Sequence, residues 1–420
     1  MPHHHLCALA TGTIAMILAS PAADAAGFQL AERSASGLGR AFSGEAAIAD
    51  DPSVISSNPA AMVLLDDTAV SVGLSTIIPG VDVSGTADLS ALGGPSAFPA
   101  SDKGVVETKV VPYLYAAQRI NDQFSVGFAS FTMYGLATDY APGAYITGQS
   151  DLTTINLNPS ASVRLTDKLS LGLGVSAVYS EATLTGNLPA SLGGSGRMLR
   201  LEGDDWGFGF NLGLLYEFSD STRIGINYRS EVDLTLSGSG DNLFIPAVAG
   251  GPAVNVDAAA DLTLPDSFEF SIYHEINDRW AVHGDVMWTG WSDFPSLTAE
   301  YGGQLPLLHN HENWKDTIRL SIGATCRYND KLTLRCGFAF DESPVPDSDH
   351  RTLRIPDGDR YWASIGASYQ LTERYRIDLG YTRVITPDTT IHEPGAGNGT
   401  FTGTATGDVN VISTGISASF

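Results

Sequence analysis

Polar and apolar residues alternate with a period of two along most of this chain. Leu169, Leu171, Leu173, Val175, Ala177 and Tyr179 are interleaved with Ser170, Gly172, Gly174, Ser176 and Ser180, and Tyr375, Ile377, Leu379 and Tyr381 with Arg376, Asp378, Gly380 and Thr382. Successive side chains of a strand point to opposite faces, so each run predicts a strand with one face fit for lipid and one for a narrow lumen. One short motif punctuates these runs: an apolar residue, a small polar one, an acid and a polar residue. Its six copies are Ile120-Asn121-Asp122-Gln123, Leu165-Thr166-Asp167-Lys168, Phe218-Ser219-Asp220-Ser221, Ile276-Asn277-Asp278-Arg279, Tyr328-Asn329-Asp330-Lys331 and Leu371-Thr372-Glu373-Arg374. Asn and Asp bond nearby backbone and tolerate left-handed conformations, so each copy reads as a tight turn entering a strand. Successive copies begin 43 to 58 residues apart, which is room for two membrane strands of roughly 9–11 residues and one long connection. Six short turns on one side then give seven hairpins, an all-β, fourteen-stranded antiparallel transmembrane β-barrel with both termini inside.

The ends of the chain fit that reading. The last strand carries Ile412, Thr414, Ile416, Ala418 and Phe420 on one face. It must pair with the first strand, because an open edge in hydrocarbon leaves a row of N–H and C=O groups unbonded. The terminal Phe420 has the form of the signal that barrel-assembly machinery reads, and equally that of an interfacial girdle residue. At the other end Leu6 to Ala19 is apolar or small throughout, too short to span a bilayer as a helix, and Ala23-Asp24-Ala25 follows, as in a cleaved secretory signal over 1–25. His3, His4 and His5 stand where Lys or Arg is usual, and Cys7 lacks the small-residue context of a lipoprotein anchor. Beyond residue 25 no run of roughly 18 apolar residues occurs, which excludes helical spans.

From Ala26 to Asp66 the alternation is missing, and this length exceeds an ordinary lead-in to a first strand. A barrel of fourteen strands has a wide lumen. The segment 26–66 is therefore expected inside it as a small N-terminal hatch, or plug, with 67–420 as the wall. The competing reading, a flexible periplasmic tail, fits poorly with Phe28, Leu30, Leu38, Phe42, Ile48, Val54 and Ile55. Within it Asn58-Pro59-Ala60 suits a rigid turn, since Pro lacks a donor and holds the preceding Asn extended.

Composition narrows the function. Only 17% of the chain is charged and it holds 45 glycines, unlike a helical enzyme, and a net charge of −24 lacks the basic footprint that nucleic acid demands. There is no Gly-x-Ser-x-Gly elbow, phosphate loop or Cys-x-x-Cys, and His309 and His311, read as exposed loop residues, are the one close histidine pair after the signal. No catalytic site, metal or cofactor is expected. Cys326 and Cys336 flank a turn and are either bridged or two thiols on barrel strands.

A set of motifs in order carries a resemblance. Ala26-Gly27-Phe28-Gln29-Leu30, Ser36-Gly37-Leu38-Gly39-Arg40-Ala41, Ser43-Gly44-Glu45, Ala47-Ile48-Ala49-Asp50-Asp51 and Asn58-Pro59-Ala60 are similar to the hatch of the FadL family of outer-membrane fatty-acid transporters. Further matches are Tyr134-Gly135-Leu136-Ala137-Thr138, Trp206-Gly207-Phe208-Gly209-Phe210, Tyr228-Arg229-Ser230-Glu231-Val232, Asp341 to Pro346, and Ile355-Pro356-Asp357 with Asp359-Arg360. The resemblance implies a plugged fourteen-stranded barrel that takes up long-chain fatty acids passively, without nucleotide hydrolysis. It also implies that the cargo leaves sideways through an inward kink of the third strand, here Thr132 to Ala137 with Tyr134, Gly135 and Leu136 at its centre. Glycine there also has a plain reading as a strand bulge.

The resemblance assigns Lys315 as partner of the carboxylate head; Phe28 is taken as a ligand contact, and Leu243, Phe244 and Ile245 of an outer loop either as apolar contacts for the cargo or as plain loop packing. Lys315 otherwise reads as an ion-pair partner of Glu312 or Asp316. Gly186 stands where the family has a second cation, an arginine, and the loop over Leu184 to Leu201, with Leu188, Leu192, Met198 and Leu199, is shorter than the family's. Those departures keep a neutral hydrocarbon or aromatic compound as the alternative cargo. The expected partners are the hydrophobic cargo, outer-membrane lipid and lipopolysaccharide, and the assembly machinery, with the protein acting as a monomer. The rivals are an outer-membrane hydrolase, lacking its motifs, and an open porin, which a hatch would contradict.

Overall fold

The computed structural model describes residues 27–65, 68–141, 147–188, 196–242, 254–294, 296–301, 304–394 and 399–420. Residues 1–25, expected to be a signal, and Leu192, Leu243, Phe244 and Ile245 lie outside them. Fourteen antiparallel strands close into one barrel. In order they are Thr68–Asp88; Phe98–Lys103 with Lys109–Arg119; Phe124–Phe131 with Gly135–Thr138; Thr147–Arg164; Leu169–Leu188; Gly196–Ser219; and Thr222–Arg229 with Val232–Asn242. There follow Val254–Leu264 with Ser267–Glu275; Trp280–Thr289 with Ser296–Tyr301; Gln304–His311 with Thr317–Arg327; Leu332–Asp341; Arg360–Gln370; Tyr375–Ile385 with Thr389–Glu393; and Thr400–Ser419. The last strand pairs with the first from Ala69↔Ser419 to Asp88↔Thr400, so the wall closes on itself.

The period of two becomes two surfaces. Leu171, Leu173, Val175, Ile377, Leu379, Ile412 and Ile416 are exposed on the outside, while Ser170, Ser176, Ser180, Asp378 and Thr382 are buried within. All six turn motifs join consecutive strands. In five, the small polar residue accepts two backbone N–H groups, for example Asn121 Oδ1 from Gln123 and Phe124 and Thr166 Oγ1 from Lys168 and Leu169. The expected left-handed backbone is absent from them: among the described non-glycine residues it occurs only at Ala41, Phe42 and Asn313. The side-chain cap satisfies the turn amides itself, so no reversal of φ is needed.

Residues 27–65 are ringed by the buried faces of the wall. A helical turn at Ala35–Leu38 is capped by Ser34, and 3₁₀ turns at Pro52–Ser56 and Pro59–Leu64 are capped by Asp51 and Asn58, with Pro leading each. Wall side chains reach into its carbonyls: Arg319 bonds Ala41 O at 3.1 Å, Arg223 Ala47 O at 2.6 Å, Arg376 Asp50 O at 2.7 Å and Arg229 Ser56 O at 2.9 Å. Ion pairs Arg40–Glu45, Arg335–Asp50 and Arg376–Asp51 complete the seat.

Two further expectations are settled by register. Cys326 stands opposite Leu334 and Cys336 opposite Ala324, and no disulfide joins them. His309 and His311 lie on a strand, opposite Thr298 and Ser296, and not on a loop, because backbone pairing of the ninth and tenth strands continues from Ser296↔His311 to Tyr301↔Gln304.

Candidate functional site

The second and third strands pair from Arg119↔Ser125 to Leu114↔Ser130 and then part. Further out a single bridge, Val106 to Thr138, joins them again. Between these points Thr132, Met133 and Tyr134 leave the ladder and bend toward the hatch. Leu30 N–H donates to Met133 O at 2.7 Å, Gly135 N–H donates to Phe28 O at 2.8 Å, and Gln29 bridges Tyr134. Unpaired backbone is costly at membrane depth, and here the N-terminal hatch segment supplies the partners that the second strand gives up. A Cβ on Gly135 would stand 3.0 Å from Leu30 Cδ1, so glycine permits this approach. On the far side Thr132 Oγ1 donates to Thr154 O at 2.9 Å and Thr154 Oγ1 to Tyr134 O at 2.7 Å, holding the kink to the fourth strand.

The parted seam encloses a cavity of about 280 Å³. Val110, Val111 and Pro112 line one side, Phe131, Tyr134, Leu136, Leu152 and Ile155 the other, with Leu30 behind. Val110 and Ile155 are also exposed on the outer surface, so the cavity meets the lipid side of the wall. Its charged walls are Glu107, Lys109 and Asp357, and Lys109 Nζ lies 2.5 Å from Asp151 and 3.2 Å from Glu107.

Behind the kink Phe28 is buried among aromatic rings, its centroid 4.8 Å from Trp291, 5.4 Å from Phe294 and 5.9 Å from both Trp314 and Tyr134. The Tyr134 hydroxyl donates to Pro265 O at 2.9 Å. Asp357 Oδ2 accepts Gly27 N–H at 2.8 Å and Ser343 Oγ–H at 2.7 Å. Burial pushes the Asp357 carboxyl up to about 7 against the pull of Arg360, and burial with the charge of Glu393 pushes Glu312 up to about 8. Both values lie above those of the unfolded chain. The stabilisation they give is therefore full at acid pH and lost as pH rises through about 7 to 8. Hydrogen exchange in 312–316 and 353–357 should speed up between pH 6 and pH 9 beyond the intrinsic rate. Glu312→Gln should flatten that excess.

The structure thus brings Phe28, Tyr134, Gly135 and Leu136 together. Asn58, Pro59 and Ala60 lie deeper, where Asn58 Nδ2 donates to Ala46 O at 2.7 Å and Leu214 O at 2.9 Å. Lys315 stands apart: it is half exposed and its Nζ bonds Glu342 at 2.7 Å, so its partner is neither Glu312 nor Asp316. Gly186 faces Leu199 on the next strand. Sequence reasoning missed Trp291, Phe294, Val111 and Pro112. Pro112 carried a usable sign, since proline inside an alternating strand marks an edge or a break.

Comparison with known proteins agrees with this architecture. The family described as "Outer membrane protein transport protein (OMPP1/FadL/TodX)" matches residues 16–420. A long-chain fatty acid transport protein of Escherichia coli O6:H1 is 39% identical over 402 residues, covering 87% of this chain and 88% of that one. Outer membrane protein P1 of Haemophilus influenzae is 35% identical, covering 87% of each. The crystal structure of a Pseudomonas aeruginosa FadL homologue superposes with a TM-score of 0.85 at 26% identity, covering 94% of this chain and 99% of that one. The toluene transporter TodX of P. putida shares the fold, with a TM-score of 0.72, 20% identity and coverage of 94% and 99%. The chain belongs to the OMPP1/FadL/TodX family of outer-membrane transport proteins.

Proposed function

We propose that this protein takes up long-chain fatty acids passively, holding the acyl chain in the seam cavity and releasing it sideways between the second and third strands. The observation that carries the reading is an apolar cavity lying in a break of the wall and open on the lipid side. The route straight down is chemically closed to such a cargo. Below the kink lie the buried ion pairs of the hatch and a polar cavity of about 120 Å³ lined by Asp50, Asp51, Arg374 and Arg376. An alkyl chain crossing it would separate buried charges from their partners, which costs far more than the chain gains. One chain completes both lumen and seam, which supports action as a monomer. The names of the relatives in Escherichia coli support fatty acid as the cargo.

Palmitate with a photoreactive tail tests the exit. Crosslinks are expected at 110–112 and 130–137; crosslinks concentrated at Asp51 and Arg376 would favour release through the hatch. A neutral hydrocarbon is the second reading, and the Lys315–Glu342 pair favours it, because that cation already has an anion. Being half exposed, Lys315 fits a role in capture better than in retention. Lys315→Ala should slow palmitate capture by roughly two- to threefold at low ionic strength and hardly at all in high salt, leaving alkane uptake unchanged. Equal slowing of both cargoes would remove Lys315 from the route.

A further inference from the structure

We infer that Arg33 of the hatch and Arg229 of the seventh strand form an anion subsite behind the kink that receives the carboxylate of the cargo; this rests on the fatty-acid reading above. Five other buried arginines have counter-ions, while Arg223 rests on Ala47 O and Arg354 on Gln149 O, Ser150 Oγ and Thr185 O, each with acceptors of its own. Arg40, Arg319, Arg335, Arg360 and Arg376 each hold a carboxylate oxygen within 3.7 Å. Arg33 and Arg229 are as deeply buried, at 5% and 4% exposure, yet among the described residues neither forms an ion pair. They converge on one neutral oxygen: Arg229 Nη2 donates to Ser56 O at 2.9 Å and Arg33 Nη1 reaches the same atom at 3.4 Å. Among the described residues Arg33 Nε finds no acceptor. Glu269, the acid that acts on both arginines at longer range, shares a hydrogen bond with Asp285. Arg229 Nη1 also donates to Ser176 Oγ at 2.9 Å, another neutral acceptor. Two buried guanidiniums held by neutral oxygens alone are under-compensated, and an entering carboxylate would supply both charge and bidentate acceptors.

The position suits a head group whose tail lies in the seam. The Arg229 guanidinium sits 5.5 Å over the Phe131 ring, and Phe131 lines the 280 Å³ cavity. A second void of about 10 Å³ borders Arg229, Asn156, Ser176 and Tyr134, enough for about one water. Tyr134 lines both spaces and is latched across them by its bond to Pro265 O. Turning Tyr134 off Pro265 joins the void to the cavity and opens the arginines to the carboxylate.

The test measures binding of palmitate and of 1-hexadecanol, the same chain without the charge, to the purified full-length protein in detergent. Charge-assisted hydrogen bonds are worth about 1.5–3 kcal/mol, so Arg229→Gln should weaken palmitate by roughly tenfold or more and hexadecanol by less than about twofold. Arg229→Lys should recover part of the loss. Arg33→Gln/Arg229→Gln should abolish the preference for palmitate. Bilayer conductance of each variant reports on the hatch, which the remaining wall bonds from Arg223, Arg319 and Arg376 should keep closed. Equal loss of both ligands with a rise in current would make the arginines hatch anchors only, and undiminished palmitate binding by the double variant would also overturn the inference. A wild-type protein that binds hexadecanol but not palmitate would instead remove the fatty-acid reading on which the subsite rests.

Discussion

Val111→Glu should cut palmitate uptake by roughly a hundredfold while the barrel still folds. Val111 is buried on the second strand, lines the seam cavity and lies just beyond Leu114, the last residue of that strand to pair with the third. A carboxylate placed there puts a charge across an apolar passage and opposes an anionic cargo. An unpaired carboxylate buried in an apolar passage costs the passing anion several kcal/mol, and about 2.7 kcal/mol already corresponds to a factor of a hundred. Val111→Leu keeps the apolar surface and should leave uptake within about twofold. Heat-modifiable gel migration would verify that both variants fold, and uptake of labelled palmitate by cells depending on the variant would give the result. Near-normal uptake by Val111→Glu would mean that the cargo does not pass the seam.

Much of the wall was legible because its physics is local. A strand that faces lipid on one side and a lumen on the other must alternate, and Leu169 to Ser180 does. A tight turn must satisfy its own amides, and the small polar residue of each motif advertises that. The alternation also located the closing pair, since Ile412, Ile416 and Phe420 face outward where the last strand meets the first. The site was legible only in part, because it depends on residues distant in sequence. Phe28 and Gly135 were identifiable from the order of motifs, but the rings around Phe28 come from Trp291, Phe294 and Trp314, which nothing in their local pattern sets apart. Lys315 illustrates the converse: its neighbours in sequence suggested Glu312 or Asp316, whereas the strand pairing brings Glu342 to it. Arg33 and Arg229 could not be distinguished from the paired arginines at all, since what marks them is a missing counter-ion. Ser56, the oxygen they share, lies 23 residues from one and 173 from the other.

The hatch offers the second large effect, through Gly172. The wild-type barrel should be closed to ions in a planar bilayer, because the segment 27–65 occupies its lumen and is bonded to the wall on every side. The fit is closest where Asn58, Pro59 and Ala60 lie against Gly172 of the fifth strand and Gly213 of the sixth: a Cβ on Gly172 would collide with the Ala60 nitrogen and Pro59 carbonyl carbon, and one on Gly213 with Asn58 Oδ1. These neighbours are backbone or a capping side chain, so neither can swing aside. Gly172→Val must therefore lift the Pro59–Leu64 turn off the wall, breaking the Asn58 bonds to Ala46 O and Leu214 O that seat it. Two buried hydrogen bonds and a lost cap amount to about 2–5 kcal/mol, enough to populate an unseated hatch. Gly172→Val should then carry a steady ion current that the wild type lacks, and Asn58→Ala, which loses the bonds without the collision, a smaller and flickering one. The barrel itself should survive, since Gly172 Cα points its missing side chain inward and the ladder bonds to Ser162 and Gly213 are backbone. If Gly172→Val stayed as closed as the wild type, the Asn58-Pro59-Ala60 turn would not be what holds the hatch. If the wild type were already conductive, the segment would not be a plug, and sideways release would lose its reason, since a hydrophobic cargo needs the seam only when the way down is shut.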